Sequence, residues 1–221
     1  MGSINGQKAA GAAAVLWVIL QLGSGFVVQP PPAAHESATK FLEFYDDNRN
    51  ALLLQGVLVL FANIPALVFA GGFWHLLRRE EGEGGIFAPA AVLAFIFAGA
   101  IATVGSAWSM GIAALGDGNG LTEESARTLG VVSTLVTPAV FSGIVPAVAL
   151  SGYVLWNGKS LPSWVGIIGL VAAIPGLVAI AGVANDGIFQ PFGIFSFGSF
   201  LLSSLYILLI GVFMWLRAAK A

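Results

Sequence analysis

The side chains able to do chemistry inside the long apolar runs of this chain are amides and hydroxyls. Gln21, Gln55 and Asn63 carry the amides, and Thr134 and Thr137 carry hydroxyls beside Pro138. Such groups donate and accept hydrogen bonds but neither ionise nor attack near neutral pH. The chemistry they offer is recognition of a neutral solute. Each is costly in hydrocarbon unless bonded, so the three amides are expected to face the protein interior. Two readings stand for them: hydrogen bonds between neighbouring helices, or the lining of a polar cavity. Gln21 and Gln55 belong at similar depth, and Asn63 lies deeper, two residues before Pro65.

Other chemistries find little support. No Asp, Glu, Lys, Arg or His lies near the middle of any run. Intramembrane ionisable groups carry proton relays and ion coupling, so a coupled pump or a carboxylate-based membrane enzyme is disfavoured, and no catalytic residue is assigned. The chain has no cysteine, which excludes disulfides, thiolate metal sites, thiol catalysis and palmitoylation. His35 and His75 fall on opposite sides and cannot share a haem or zinc, so no metal or cofactor is expected. Asp117-Gly118-Asn119-Gly120 opens like a calcium loop. Thr122 then stands where glycine is required, and Thr128 where the terminal glutamate belongs. A solvated turn ahead of a helix is the simpler reading.

Prolines supply a second source of polarity. A proline within a helix frees the carbonyl four residues earlier. Pro65 frees Phe61, Pro138 frees Thr134, Pro146 frees Ser142 and Pro175 frees Val171. These carbonyls need partners, and Thr134, Thr137 and Ser142 are well placed to help. Span four, with two such breaks, is the expected bent helix.

The elements that must position these groups are transmembrane helices. The chain has 221 residues, 57% hydrophobic and 9% charged, against about 25% charged in a soluble domain. Apolar runs cover about 9–28, 50–77, 87–115, 124–156, 162–184 and 189–216. They are too long and too continuously apolar for barrel strands. The fold class is therefore all-α: a polytopic membrane bundle of six transmembrane helices, one domain over 1–221. The first run exceeds the about 7–15 residues of a signal-peptide core and reads as an uncleaved span. Pro89, Pro162 and Pro191 mark helix starts. Thr122 reads as the N-cap of span four, with Glu123 and Glu124 in its first turn.

Six spans put both termini on one side. That side carries Lys8, Arg78, Arg79, Lys159, Arg217 and Lys220, and the other carries Lys40, Arg49 and Arg127. The bias predicts cytoplasmic termini. Trp74, Trp156, Trp164 and Trp215 fall near the same interface, as an aromatic belt does. A net charge of -2 with no basic tail makes nucleic acid an unsuitable partner. The partners expected are the lipid bilayer, a small neutral ligand, and either further copies of the chain or another membrane protein.

The largest outer connection runs over 29–49. Pro30, Pro31 and Pro32 stiffen its start, and Phe41, Phe44, Tyr45 and Asn48 recur at helical spacing. An amphipathic helix is expected there, on the membrane surface or running into span two, with Glu43, Asp46 and Asp47 on its wet face. The stretch from Arg78 to Gly85 is the natural boundary between hairpins. Ala90, Ala94, Ala98, Ala102 and Ser106 in span three form a small-residue stripe. Ala139, Gly143, Ala147 and Ser151 form another in span four, and span six adds Ser199 and Ser203. These read as packing seams, with an oligomer interface as the alternative.

Two matches hint at duplication. Ile64-Pro65-Ala66-Leu67-Val68 in span two resembles Ile174-Pro175-Gly176-Leu177-Val178 in span five. Ile86-Phe87-Ala88-Pro89 before span three resembles Ile188-Phe189-Gln190-Pro191 before span six. Two inverted three-helix repeats would explain them, as would chance within a small apolar alphabet.

A proline-bearing outer loop is followed by Tyr45, Asn48 and Arg49 leading into Leu52-Leu53-Leu54, and the second span ends Leu76-Leu77-Arg78. This pattern resembles bacterial six-span integral membrane families known only as domains of unknown function. The resemblance covers most of the chain and implies a bacterial inner-membrane location with no assigned activity. The sequence leans to a facilitator or permease for a small neutral or apolar solute. The alternative is a non-transporting membrane scaffold, sensor or accessory subunit, with a membrane enzyme a distant third. A midplane cavity reaching Asn63, Gln55 and Thr134 would favour transport, and a dry, filled bundle would favour the scaffold.

Overall fold

The computed structural model describes residues 2–116, 120–182 and 191–218, and among them the regular structure is helical throughout. The helices are α1 (Gly2–Val27), α2 (Ala38–Asp47), α3 (Arg49–Glu81), α4 (Phe87–Leu115), α5 (Glu123–Thr134), α6 (Val136–Asn157), α7 (Ser163–Ile180) and α8 (Ile194–Ala218). Six segments are long and apolar enough to cross a membrane: α1, α3, α4, α5 with α6, α7 and α8. Large apolar side chains such as Ile64, Leu93, Val104 and Ile174 point outward. A soluble helix would hide them, whereas a helix bathed in lipid has no reason to. The chain is a multi-pass membrane protein.

Each spanning helix packs on its neighbours in chain order: α1 on α3, α3 on α4, α4 on α6, α6 on α7, α7 on α8, and α8 back on α1. The six crossings thus close into a ring. The start of α1 and the end of α8 share one face, the terminal face, and α2 caps the other. Aromatic side chains fill the ring's centre. Trp17 meets Phe95 edge-on with centroids 5.3 Å apart, and Phe69 meets Phe95 at 5.6 Å. The Tyr206 hydroxyl donates to Ser151 Oγ at 2.9 Å, tying α8 to α6.

Small residues set the helix spacing. A Cβ at Gly143 would lie 2.8 Å from the Ala94 carbonyl, so the stripes of spans three and four form the α4–α6 seam. A Cβ at Gly152 would lie 2.8 Å from the Gly166 carbonyl across the α6–α7 seam. Ser199 faces α7, its hydroxyl 3.5 Å from the Ala172 carbonyl.

Span four is two helices. α5 ends at Thr134, where the Leu135 N–H turns back to the Val132 carbonyl at 3.2 Å, and α6 begins at Val136. Pro138 explains the break, because it has no N–H to give the Thr134 carbonyl. Pro146 lies within the unbroken α6, so one of the two expected interruptions divides the span. Thr122 caps α5 as expected, accepting the Ser125 N–H at 3.3 Å.

The helix over 38–47 packs on α5 through buried Phe41 and Tyr45, which cluster with Leu52, Ile112 and Ala126. Gly130 makes room for Phe41, whose ring a Cβ there would meet at 2.5 Å. Asn48 alone separates α2 from α3: its amide donates to the Phe44 carbonyl at 2.9 Å, and its own carbonyl accepts the Leu52 N–H at 2.8 Å. Glu43, Asp46 and Asp47 are exposed.

On the terminal face α3 runs on to Glu81, past the expected end near residue 77. Arg78 to Gly85 carries the corner between α3 and α4. The Glu81 carboxylate accepts the Phe87 and Ala88 N–H groups at 2.8 and 2.7 Å, supplying α4 with the cap that Ile86 cannot. Glu80 accepts the Lys159 and Ser160 N–H groups at 2.5 and 2.9 Å. Gly82 and Gly84 turn the chain with φ of 85° and 84°, values that favour glycine.

Pro89 is the third residue of α4, and Pro162 stands at the N-cap of α7. Pro191 falls three residues ahead of Ile194, where α8 starts, so it does not open that helix. The other residues of its repeat match, Ile188, Phe189 and Gln190, lie outside the described residues. So do Asp117, Gly118 and Asn119 of the calcium-like stretch. Pro65 and Pro175 both lie inside helices on opposite sides of the ring.

Candidate functional site

Midway along α3 and α4 the packing opens into a cleft of about 230 Å³. Asn63 and Thr103 form its polar wall. The Asn63 amide donates to Thr103 Oγ1 at 2.9 Å, and the Thr103 hydroxyl donates back to its own helix at the Gly99 carbonyl, 2.7 Å away. Gln21 reaches the same space from α1, and Trp17 and Phe95 form an aromatic floor. Leu67 and Ile96, both exposed, stand at the mouth, so the cleft faces the lipid side between α3 and α4.

The hydrogen-bond arithmetic leaves this wall open to a guest. A primary amide has two donors and an acceptor with two lone pairs. Asn63 uses one donor, and the Gln21 amide makes no hydrogen bond with any described residue. In a lining that is otherwise apolar, these groups are the points at which a polar ligand gains energy. Gly99 has open space where a Cβ would stand, which keeps the cleft wide.

The expected site residues divide. Gln21 and Asn63 line the cleft together. Gln55 does not: its amide donates to the Ser24 carbonyl at 2.9 Å and ties α3 to α1. That bond puts Gln55 level with Ser24, about one turn nearer the α2 cap than Gln21, and Asn63 lies about two turns farther from that cap along α3. Thr134 is buried at the α5–α6 break and donates to the Val131 carbonyl at 2.7 Å. Thr137 is half-buried in the first turn of α6 and does not line the cleft.

Thr103 and Trp17 are the wall residues that the sequence reading missed. Thr103 is a hydroxyl in the middle of span three, at the depth of Asn63, and that equivalence of depth was the available signal. Near α2 a second polar set forms, in which the Tyr45 phenol bonds Ser133, and Ser133 lies 3.2 Å from Ser109. Burial pushes the Tyr45 phenol up to about 12, with the Ser133 bond opposing the shift. At the exposed start of α2, the hydrogen bond from Lys40 holds the Glu36 carboxyl below its usual range.

No family model, no curated protein and no solved structure matches this chain.

Proposed function

We propose that this multi-pass membrane protein is a facilitator for a small neutral solute, held in the Asn63 cleft and admitted from the bilayer between α3 and α4. The observation that carries this reading is a mid-membrane space whose two amides, Gln21 and Asn63, retain hydrogen-bonding capacity. Its volume, about 230 Å³, is below the about 300–1,000 Å³ of drug-sized pockets and suits a solute of a few heavy atoms. The positive-inside count supports cytoplasmic termini, and the resemblance to bacterial six-span families supports a plasma membrane location.

The filled centre of the ring favours a second reading, a non-transporting scaffold or accessory subunit. Flux of small neutral solutes into proteoliposomes separates the two. Gly99→Leu projects a side chain into the cleft without meeting a neighbour at Cβ, and it is expected to abolish flux. Asn63→Leu removes the amide and is expected to lower flux about tenfold, the worth of one well-made hydrogen bond. Flux absent in the wild type, or untouched by both variants, would leave the scaffold reading standing.

A further inference from the structure

A second space, of about 840 Å³, lies at the terminal face between the start of α1 and the last turns of α3. Its α3 wall is one continuous helical face: Val68, Gly71, Gly72, His75, Arg78 and Arg79. Positions three and four apart share a face, so these residues make a single strip along the helix. At 1.5 Å per residue the strip from Val68 to Arg78 is about 15 Å long, half of an about 30 Å hydrocarbon core. It therefore covers one leaflet, from the middle of the membrane to the interface. Its deep end is apolar and open at Gly71, where a Cβ would meet nothing within 4 Å, and its shallow end is basic.

The charge at the shallow end is available. Arg78 donates one N–H to the Gly85 carbonyl at 3.1 Å and makes no ion pair among the described residues. Arg79 is engaged with Glu80 at 3.5 Å and with Ser160 Oγ at 2.5 Å. The nearby carboxylates are committed, Glu80 to the 159–160 backbone and Glu81 to the start of α4. His75, exposed beside Arg78, adds a ring N–H donor in either protonation state.

We infer that this groove binds one anionic phospholipid, with its phosphate at Arg78 and His75 and an acyl chain over Gly71 and Val68. The phosphate chemistry alone would also suit a soluble phosphate. The apolar strip that continues down the leaflet from the arginine is what selects a lipid. Basic pockets between helices at a membrane interface hold lipid headgroups by the same combination of charge and depth, and a guanidinium fits phosphate with paired N–H donors.

The test is native mass spectrometry after reconstitution in phosphatidylcholine with phosphatidylglycerol, followed by stepwise delipidation. One phosphatidylglycerol per chain is expected to be retained in preference to phosphatidylcholine. Arg78→Gln should weaken that retention about tenfold, as loss of one charge-assisted bond does. Because Arg78→Gln also disturbs the Gly85 contact, Gly71→Leu provides an independent variant. A Cβ at Gly71 meets nothing within 4 Å, so this substitution fills the groove and leaves every basic residue in place. It should remove the retained lipid while the melting temperature stays near wild type. Equal retention of the two lipids, or retention unchanged in both variants, overturns the inference. So does displacement of phosphatidylglycerol by soluble glycerophosphate, which would assign the groove to a soluble anion.

Discussion

Glu80 and Ser160 stand eighty positions apart in the chain and side by side in the fold, the carboxylate accepting the Ser160 N–H at 2.9 Å and the Ser160 hydroxyl as well. The Glu80 side chain is only 6% exposed. One acid at the end of α3 thus holds the α6–α7 turn, while its neighbour Glu81 caps α4. Two connections on the terminal face, α3–α4 and α6–α7, are locked by two consecutive residues.

Glu80→Ala should therefore destabilise the protein although it lies outside the apolar runs. It leaves the Lys159 and Ser160 N–H groups without their acceptor, at a cost of about 1–3 kcal/mol. Thermal unfolding in detergent, read by circular dichroism, checks this, and Glu83→Ala on the exposed turn serves as the control. Equal melting temperatures for the two variants would contradict the stapling role.

The two amides of α3 should behave differently. Gln55→Leu removes a helix–helix hydrogen bond to Ser24 and should cost about 0.6 kcal/mol, up to about 1.7, the range found for such bonds in membranes. Solute flux per folded protein should not change. Asn63→Leu removes the α3–α4 bond to Thr103 and should cost stability by a similar amount, but it should also lower flux. If Gln55→Leu lowered flux as much as Asn63→Leu, the cleft would extend farther than its lining residues indicate.

The α6–α7 seam should tolerate no added bulk. A Cβ at Gly166 would lie 2.3 Å from the Trp156 backbone nitrogen, and backbone cannot swing aside as a side chain can. Gly166→Val is expected to cost at least about 3 kcal/mol. Gly198→Val, in α8 with open space at its Cβ, should be near neutral in the same unfolding assay.

Tyr45 should make stability fall at alkaline pH. Its phenol titrates near pH 10 in the unfolded chain and about 12 when folded. Between those values the unfolded state has lost a proton that the native state keeps, so stability declines as pH rises through the window. Below pH 10 the contribution is fully present. Tyr45→Phe should remove this part of the decline while losing the Ser133 bond at every pH. Urea unfolding of both proteins across pH 9–12 measures the difference, and parallel curves would refute the assignment.

Composition and run length alone determined the solvent of this protein, the number of crossings and the helical state, because hydrocarbon leaves the backbone no other way to pair its polar groups. The cap at Thr122, the helix over 38–47, the bend near Pro138 and the α4–α6 seam were also legible, since each rests on contacts within a few residues or on a repeating small-residue pattern. The partners across the ring were not. Gln21, Gln55 and Asn63 look alike in sequence, and only the register of α1 against α3 made one a tie and left two in a cleft. Thr103 became Asn63's partner because α4 packs beside α3 at that depth. Glu80 and Glu81 read as a charged loop until the return of the chain at 159–160 and 87–88 placed N–H groups around them. Local chemistry decides which segments cross the membrane, while the pairing of distant polar groups depends on helix rotation and register, which only the packed ring sets.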